Sequence, residues 1–471
     1  MLPLRKDLRS VAVIGPAADT VSYGDYTETR GRKGGVSVLD GIRAAVSPET
    51  EVLYERGCNF LGQALHPFDP SMLRDENGNA GLTGRYYNGP VPQGEPVQVR
   101  TDRTVNFNWI FALPHPALDA NGFSVVWTGS VVMPRTMDGC IGLSTQDSMR
   151  LYVDDKLLID GWGKDKSADQ ALDFHFEAGR AYKIRIEFVN DRRGARVIFG
   201  YSAGRENFPA AVEAARKADV AILCMGDNEE TSGENFDRTD LNLPGRQLEL
   251  VQAVYATGTP VVLVLQSGRP VTANWENDHL SAILEAWFPG EQGGTAIAKT
   301  LFGDAAPGGR LPITFPRSVG QIPCHYSRRP GGGKRYVEMD WLPLYPFGYG
   351  LTYTTFAYRD MALSRSVIGP QDTVTVSVTV TNTGKYTGDA VPQLYVRDMF
   401  SSVVKPERQL AAFRRLTLAP GESRRVELTV GPKQLRTLGP DYVWRVEPGK
   451  FELQLGDNAE NILLRADLTV E

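Results

Sequence analysis

The stretch that decides the fold is Asp219-Val220-Ala221-Ile222-Leu223-Cys224-Met225-Gly226, which is almost wholly apolar and ends at a glycine. A short, continuously apolar run of this kind is typical of a β-strand buried on both faces, as in a parallel sheet. The acidic segment that follows contains Glu229, Glu230 and Glu234. Because ligands bind at the carboxyl ends of strands in open α/β sheets, a functional loop is predicted here. On local composition alone, an ordinary solvated loop is the favoured alternative.

Strand and helix patterns alternate on both sides of this run. Before it, residues 10–16 and 51–57 have the pattern of strands, and residues 38–46 have a helical period. After it, the predicted helices and strands are 248–255 (helix), 260–265 (strand), 282–287 (strand) and 296–302 (helix), and a further helix, 210–217, leads into the run. This order predicts an α/β domain with a mostly parallel sheet.

A region without helical period lies inside this α/β pattern. From Gly81 to about Ser202 the chain shows short alternating runs separated by turn residues. The clearest runs are 123–127, 140–143, 150–153, 182–188 and 197–201. They predict an all-β sandwich inserted at an exposed loop of the α/β domain.

The last part of the chain has strand patterns again. Residues 312–356 are irregular and rich in Pro, Gly and Tyr, and residues 373–381 then alternate cleanly. About seven strands in the remaining segment are typical of an immunoglobulin-like sandwich.

Together these patterns predict a multi-domain protein. An α/β sandwich, built of a mostly parallel sheet with helices, is interrupted by an all-β sandwich insertion and followed by an immunoglobulin-like β-sandwich. The predicted domains are 1–66 with 205–325 (α/β), 67–204 (insertion), 326–360 (linker) and 361–471 (last domain). A length of 471 residues suits about three domains.

Composition excludes several classes of partner. The formal net charge of −5, without a long basic run, makes nucleic acid and anionic membrane unlikely partners. No apolar run approaches the roughly 20 residues that span a bilayer. The four cysteines show no CxxC spacing and the five histidines no metal-ligand spacing, so we expect no metal and no cofactor. The first residues do not form a signal peptide, which leaves periplasmic, secreted and cytoplasmic locations open.

Several segments in order resemble one family. Besides Ser232-Gly233-Glu234 and Phe236-Asp237-Arg238, they are residues 12–19, 24–26, 37–42, 266–271, 286–290, 303–312 and 345–356. Their order and spacing resemble the C-terminal sandwich domain of glycoside hydrolase family 3. The last domain resembles the fibronectin type III-like module of these enzymes.

The insertion resembles the protective-antigen-type module of some β-glucosidases, in residues 81–87 and 144–154. Many such modules have two adjacent aspartates where this chain has Gln146 and Asp147. The resemblance therefore implies a carbohydrate-binding module whose hallmark pair is altered.

The resemblance implies a retaining, exo-acting hydrolase of the β-glucosidase type, which acts on terminal non-reducing β-D-glucosyl residues. Its substrate would be an oligosaccharide or an aryl or alkyl β-glycoside. The acid/base carried over by position is Glu234, with Glu230 as the alternative. Asp237 and Arg238 are expected to pair with each other or with the backbone and to hold the loop. The family's nucleophile belongs to a (β/α)₈ barrel, which we expect as a partner domain because the chain shows no barrel.

Three further residues are candidate sugar contacts: Tyr26 and Trp162, whose rings suit the faces of sugars, and Asp147. Tyr336 is a candidate of the same kind, and ordinary packing is at least as good an interpretation of each aromatic residue. Trp162 and Asp147 are the weaker candidates, as contacts from the insertion to the sugar of a leaving group. Two alternatives to a β-glucosidase stay open, a related β-xylosidase or arabinosidase and a non-catalytic carbohydrate-binding protein.

Overall fold

The computed structural model describes residues 1–24, 26–27, 34–60, 65–109, 113–119, 122–145, 147–163, 170–190, 195–203, 208–228, 231–331 and 335–471. Two compact units make up the chain: Met1–Glu55 with Val212–Glu471, and Arg56–Ala211. Glu230 and Gln146 lie outside the described residues.

The first unit begins with strand β1 (Ser10–Ile14), helix α1 (Val38–Ala45) and strand β2 (Glu51–Glu55). Helix α1 starts where the sequence predicts, because Ser37 Oγ accepts a hydrogen bond from the Asp40 N–H and so caps the helix.

The described part of the second unit is built of β-strands and one short 3₁₀ turn, Pro70–Met72, and it ends in the first residues of the helix Phe208–Lys217. The strands are β3 (His66–Pro67), β4 (Leu73–Arg74), β5 (Leu82–Asn88), β6 (Gln98–Asp102), β7 (Asn106–Asn108), β8 (Phe123–Val132), β9 (Met137–Thr145), β10 (Ser148–Val153), β11 (Lys156–Asp160), β12 (Gln170–Phe176), β13 (Ala181–Asn190) and β14 (Arg196–Ala203). One antiparallel sheet has the order β11-β10-β13-β8-β5-β6, and the other has the order β12-β9-β14-β3. Both sheets contribute to a single aromatic core around Trp127, which makes the unit a β-sandwich.

The α/β pattern resumes with helix α2 (Phe208–Lys217). It continues through β15 (Val220–Gly226), α3 (Gln247–Tyr255), β16 (Val261–Gln266), α4 (Asn274–His279), β17 (Ala282–Glu285) and α5 (Gly293–Leu301). The strands form one sheet in the order β17-β16-β15-β1-β2, with every neighbouring pair parallel. Every residue of β1, β15 and β16 is buried, as continuous apolar runs predict.

The C-terminal part of the first unit contains the remaining strands and a short helix. They are β18 (Phe356–Leu363), β19 (Val367–Ile368), β20 (Val374–Asn382), β21 (Gly388–Ala390), β22 (Gln393–Asp398), β23 (Gln409–Phe413), β24 (Leu416–Leu418), β25 (Ser423–Val430), α6 (Pro432–Leu435), β26 (Thr437–Leu438), β27 (Trp444–Arg445), β28 (Gly449–Gly456) and β29 (Ile462–Val470). A sheet of β18-β20-β25 and one of β19-β29-β28-β22-β23 enclose one hydrophobic core. This is the predicted immunoglobulin-like sandwich.

The predicted fold class is confirmed, and the differences are local. The strand predicted for residues 282–287 ends at Glu285, because Trp287 turns to a φ of 52° and its N–H donates to the Glu285 side chain. Helix α5 begins at Gly293, three residues before its predicted start, since a Gly-Gly pair hides the helical period. Helix α4 was not predicted because its polar residues show no apolar period. None of the helices in the described ranges is long and apolar enough to cross a membrane.

Candidate active site

The carboxyl edge of the parallel sheet has a topological switch point. From β1 the chain crosses to β2 on one side, whereas β15, β16 and β17 extend the sheet on the other side. Between β1 and β15, therefore, the connections leave in opposite directions and open a crevice, which is where open α/β sheets bind ligands. The loop that follows β15 lies at this point.

The exit of the chain from β15 is tightly held. Gly226 has a φ of 137°, and a Cβ there would lie 1.9 Å from the carbonyl oxygen of Gln266, so only glycine fits. On the side of β1, which ends before reaching Gly226, the buried side chain of Gln247 bonds the Gly226 backbone instead of a strand. Its Oε1 accepts from the Gly226 N–H at 2.8 Å, and its Nε2 donates to the Gly226 carbonyl at 2.9 Å. The loop thus starts from a rigid point.

Glu234 lies in a tight turn of this loop. The N–H of Phe236 donates to the carbonyl of Gly233 at 3.2 Å, and Asn235 adopts a φ of 64° to complete the turn. Before the turn, the Ser232 N–H donates to the carbonyl of Asn228 at 2.9 Å. The turn presents Glu234 at the surface, where the residue is exposed.

A buried carboxylate, Asp227, lies beneath the loop and is 2% exposed. It accepts a hydrogen bond from Thr231 Oγ1 at 3.0 Å and lies 3.4 Å from Arg238 Nη1 and 3.6 Å from Arg269 Nε. Burial raises the pKa of Asp227, and the hydroxyl and the two guanidinium groups oppose that rise. This cluster of one carboxylate and two guanidinium groups supports the loop from beneath.

Arg238 bonds the backbone of the loop, as expected, but its ion partners differ from the expected Asp237. Its Nη2 donates to the backbone carbonyl of Asn242 at 3.0 Å. Its carboxylate partners are Asp227 and Asp240, each at 3.4 Å, and Asp237 is exposed.

Arg269 reaches the same loop from the end of β16. Its Nη2 donates to the carbonyl of Thr231 at 3.1 Å and to the carbonyl of Phe236 at 3.4 Å. The glycine at position 268 lets the loop come close to this strand end, because a Cβ there would lie 2.5 Å from Ser232 Oγ and 2.9 Å from the Phe288 ring. The guanidinium group therefore contacts the backbone on both sides of Glu234.

Glu285, at the end of β17, is a second buried carboxyl group at this edge. One oxygen accepts from the Trp287 N–H at 2.9 Å, and the other has no hydrogen-bond partner among the described residues. Burial raises the pKa of Glu285 to about 8, with the negative charge of Asp227 adding to the effect. At neutral pH the group is therefore mostly protonated.

A Glu285→Gln substitution is expected to change how stability depends on pH. The unfolded chain loses this proton near its ordinary pKa of 4.5 and the folded chain near 8. The free energy of unfolding therefore falls as pH rises through this window, by as much as about 4 kcal/mol. Glutamine does not ionise, so urea titrations at pH 5 and pH 8 should show the variant gaining stability over the native chain as pH rises.

The matched control is Glu213→Gln, since Glu213 lies on an exposed face of α2. This substitution on an exposed surface should not reproduce the gain in stability expected of Glu285→Gln. If Glu285→Gln leaves the pH dependence of unfolding unchanged, Glu285 ionises alike in the folded and the unfolded chain.

The candidate sugar contacts fall in both units. Tyr26, in the loop after β1, is 78% exposed, and Tyr336 donates its hydroxyl hydrogen to the carbonyl of Gly320 at 3.0 Å. In the second unit, Asp147 is 4% exposed, and the half-buried Trp162 lies against the guanidinium of Arg150 at 4.7 Å. The segments of Asp147 and Trp162 are neighbours, because the Gly163 N–H donates to Ser148 Oγ at 3.2 Å.

Sequence reasoning did not identify the buried charged residues beneath the loop. Asp227 directly follows β15, Arg269 comes three residues after the end of β16, and Glu285 is the last residue of β17. Their placement at strand ends was the available signal. Among the described residues, no group of three or more His, Cys, Asp and Glu side chains could hold a metal ion.

Two domain families match this chain. Residues 1–353 match the model of the glycosyl hydrolase family 3 C-terminal domain, and residues 390–459 match the fibronectin type III-like domain. These matches define the class, the C-terminal domains of a glycosyl hydrolase. Because the first match spans 353 of the 471 residues, the chain belongs to glycoside hydrolase family 3.

Similar proteins include a β-glucosidase of Rhizobium radiobacter, 34% identical over 506 residues, with 100% of this chain and 60% of the relative covered. A β-xylosidase of Formosa agariphila is 45% identical over 302 residues, covering 62% of this chain and 42% of the relative. The crystal structure of a Kluyveromyces marxianus β-glucosidase in complex with glucose has a TM-score of 0.73 and 28% identity, and the match covers 100% of this chain and 60% of that one. The chain thus spans no more than 60% of the length of these proteins.

Proposed function

We propose that Glu234 is the general acid/base of a retaining β-glucosidase-type site and that a (β/α)₈ barrel domain of the whole protein supplies the nucleophile. The observation that carries the proposal is the placement of Glu234. It is exposed on a loop at the switch point of the sheet, and a buried ion cluster holds that loop from below. A carboxyl group so placed can face a substrate that binds at the carboxyl edge.

The chemistry follows from two carboxyl groups about 5–5.5 Å apart. Glu234 donates its proton to the glycosidic oxygen as the bond to the anomeric carbon breaks, and the barrel carboxylate forms a glycosyl-enzyme ester. Glu234, now ionised, takes a proton from water, which attacks the anomeric carbon and releases the sugar and the nucleophile. The proton balance closes, so no cofactor is required.

A terminal β-D-glucosyl residue is the proposed substrate group. The relatives named above that cover the whole chain are β-glucosidases. The β-xylosidase of Formosa agariphila is more similar over a shorter part of the chain, which makes a β-xyloside the second candidate.

We further propose that the second unit is a protective-antigen-type module that contacts the sugar of the leaving group. Trp162 and Asp147 are its proposed contacts, and Tyr26 is proposed to contact the substrate from the loop after β1. Trp162 suits this role better than Asp147, since the Trp162 ring is only half-buried whereas Asp147 is 4% exposed.

The experiment joins this chain to the part of the Rhizobium radiobacter β-glucosidase that it does not match. We call the product the fusion enzyme and compare it with the chain alone on aryl β-glucosides and aryl β-xylosides. Turnover by the fusion enzyme, none by the chain alone and loss of turnover on Glu234→Ala are the expected results.

The opposite results separate the alternatives. A folded fusion enzyme that binds glycans in calorimetry but hydrolyses neither substrate would indicate a non-catalytic binding protein. Faster turnover of the xyloside would favour the second candidate, and turnover by the chain alone would mean that it contains its own nucleophile.

A further inference from the structure

Among the described residues, Asp227 and the two arginines beside it hold the loop that carries Glu234. Arg269 is the residue that contacts the loop backbone on both sides of the turn, at the carbonyls of Thr231 and Phe236. These two residues lie three positions before and two positions after Glu234. A change in the position of the guanidinium group therefore moves the segment to which the Glu234 side chain is attached.

Asp227 in turn orients Arg269. The carboxylate is 2% exposed and lies 3.6 Å from Arg269 Nε, close enough for an ion pair but not for a hydrogen bond. Thr231 Oγ1 and Arg238 Nη1 lie against the same carboxylate. The Arg269 side chain is 21% exposed, and a buried anion beside it adds a charge attraction to its two hydrogen bonds with backbone carbonyls. Asp227 provides that anion, because it follows directly the glycine at which β15 ends.

We propose that Arg269 and Asp227 are positioning residues for the acid/base, and that together they set the distance from Glu234 to the glycosidic oxygen. This inference rests on the proposed function of Glu234. Arg269 touches neither substrate nor reacting atoms; it acts through the backbone of the loop. A displacement of about 1 Å in a catalytic group can lower the rate roughly 100-fold.

The test uses two aryl β-glucosides that differ in their need for an acid. Phenyl β-glucoside requires protonation of its leaving oxygen, whereas 2,4-dinitrophenyl β-glucoside releases a stable phenolate without it. Loss of protein stability lowers the rate on both substrates alike. Loss of acid positioning lowers kcat/KM much more on the phenyl glucoside than on the dinitrophenyl glucoside.

In the fusion enzyme, Arg269→Met and Asp227→Asn are expected to lower kcat/KM about 100-fold on the phenyl glucoside and less than about threefold on the dinitrophenyl glucoside. The double variant Glu234→Ala/Arg269→Met should be no slower than Glu234→Ala, because both changes remove the same proton transfer. Arg269→Lys should recover part of the loss, since an ammonium group can donate to the same carbonyls.

The chain supplies matched controls. Asp219 directly precedes β15, whereas Asp227 directly follows it. Asp219 pairs with Arg9 at 2.9 Å, at the amino end of the strand and away from the loop of Glu234. Arg246 pairs with Glu249 on the exposed start of α3 at 2.7 Å. Asp219→Asn and Arg246→Met should leave the ratio of the two rates unchanged.

Hydrogen exchange of the chain alone provides a second measurement that does not depend on turnover. The segment 231–238 should exchange faster in Arg269→Met and Asp227→Asn than in the native chain, while β15 stays protected. Equal exchange in all variants would overturn the inference.

The activity outcomes separate the two levels of the proposal. If Glu234→Ala selectively loses activity on the phenyl glucoside and Arg269→Met does not, the inference fails and the proposed function of Glu234 stands. If Glu234→Ala itself shows no selective loss, the proposed function fails.

Discussion

Glu234→Ala in the fusion enzyme is expected to lower kcat/KM on phenyl β-glucoside by about 10²–10⁴-fold, the usual contribution of a general acid. On 2,4-dinitrophenyl β-glucoside the expected loss in kcat/KM is below about tenfold, because that leaving group departs without a proton. The difference follows from chemistry and not from binding, since both substrates present the same glucosyl group. Initial rates on the two substrates at matched enzyme concentration provide the measurement.

Azide adds an independent signature to this prediction. Without a base, water attacks the glycosyl-enzyme slowly, and azide, a nucleophile that needs no deprotonation, should accelerate turnover of the dinitrophenyl glucoside by Glu234→Ala. The product should be β-glucosyl azide, because retention requires two displacements. The control is Asp237→Ala, an exposed carboxylate in the same loop. Equal loss on both substrates, without acceleration by azide, would exclude Glu234 as the acid/base.

Asp102→Ala is expected to destabilise the second unit by about 3–5 kcal/mol, the usual result of removing one partner from a buried ionic network. Asp102 is 5% exposed. It accepts hydrogen bonds from the Tyr86 hydroxyl at 2.5 Å, from Trp127 Nε1 at 2.7 Å and from Arg100 Nε at 2.7 Å. Burial raises the pKa of Tyr86 far above its usual range, so its hydroxyl stays a donor. The substitution leaves two buried donors and a half-buried guanidinium group without their acceptor.

Urea unfolding followed by tryptophan fluorescence measures this effect, since Trp127 lies in the core of the second unit. Asp102→Asn keeps one accepting oxygen and should cost less than the alanine variant. Asp138→Ala is the control: its carboxylate is 85% exposed and pairs with His175 at the surface, so its loss should change stability by less than about 1 kcal/mol. A comparable change for Asp102→Ala and Asp138→Ala would show that the network contributes little.

Much of the fold was predictable because the spacing of apolar residues along the chain reflects which faces of the strands and helices are buried. Buried strands such as β15 and β16 are continuous apolar runs, the strands of the second unit alternate, and α1 has a capping serine before its apolar stripe. Errors occurred where a hydrogen bond between a side chain and the backbone overrides the apolar pattern. The end of β17 at Glu285 depends on a hydrogen bond between the Glu285 side chain and the Trp287 backbone, and no period encodes that bond.

By itself, the sequence determined the fold class and the place of Glu234 after a buried strand, because both follow from patterns within a few residues. Only the tertiary structure decided what holds that loop. Asp227 and Arg269 follow different strands, and they meet because β15 and β16 are parallel neighbours that end at the same edge. Glu285 joins that edge because β17 lies beside β16. Strand order is set by packing between distant segments, so no local pattern could have shown that these charges share one site.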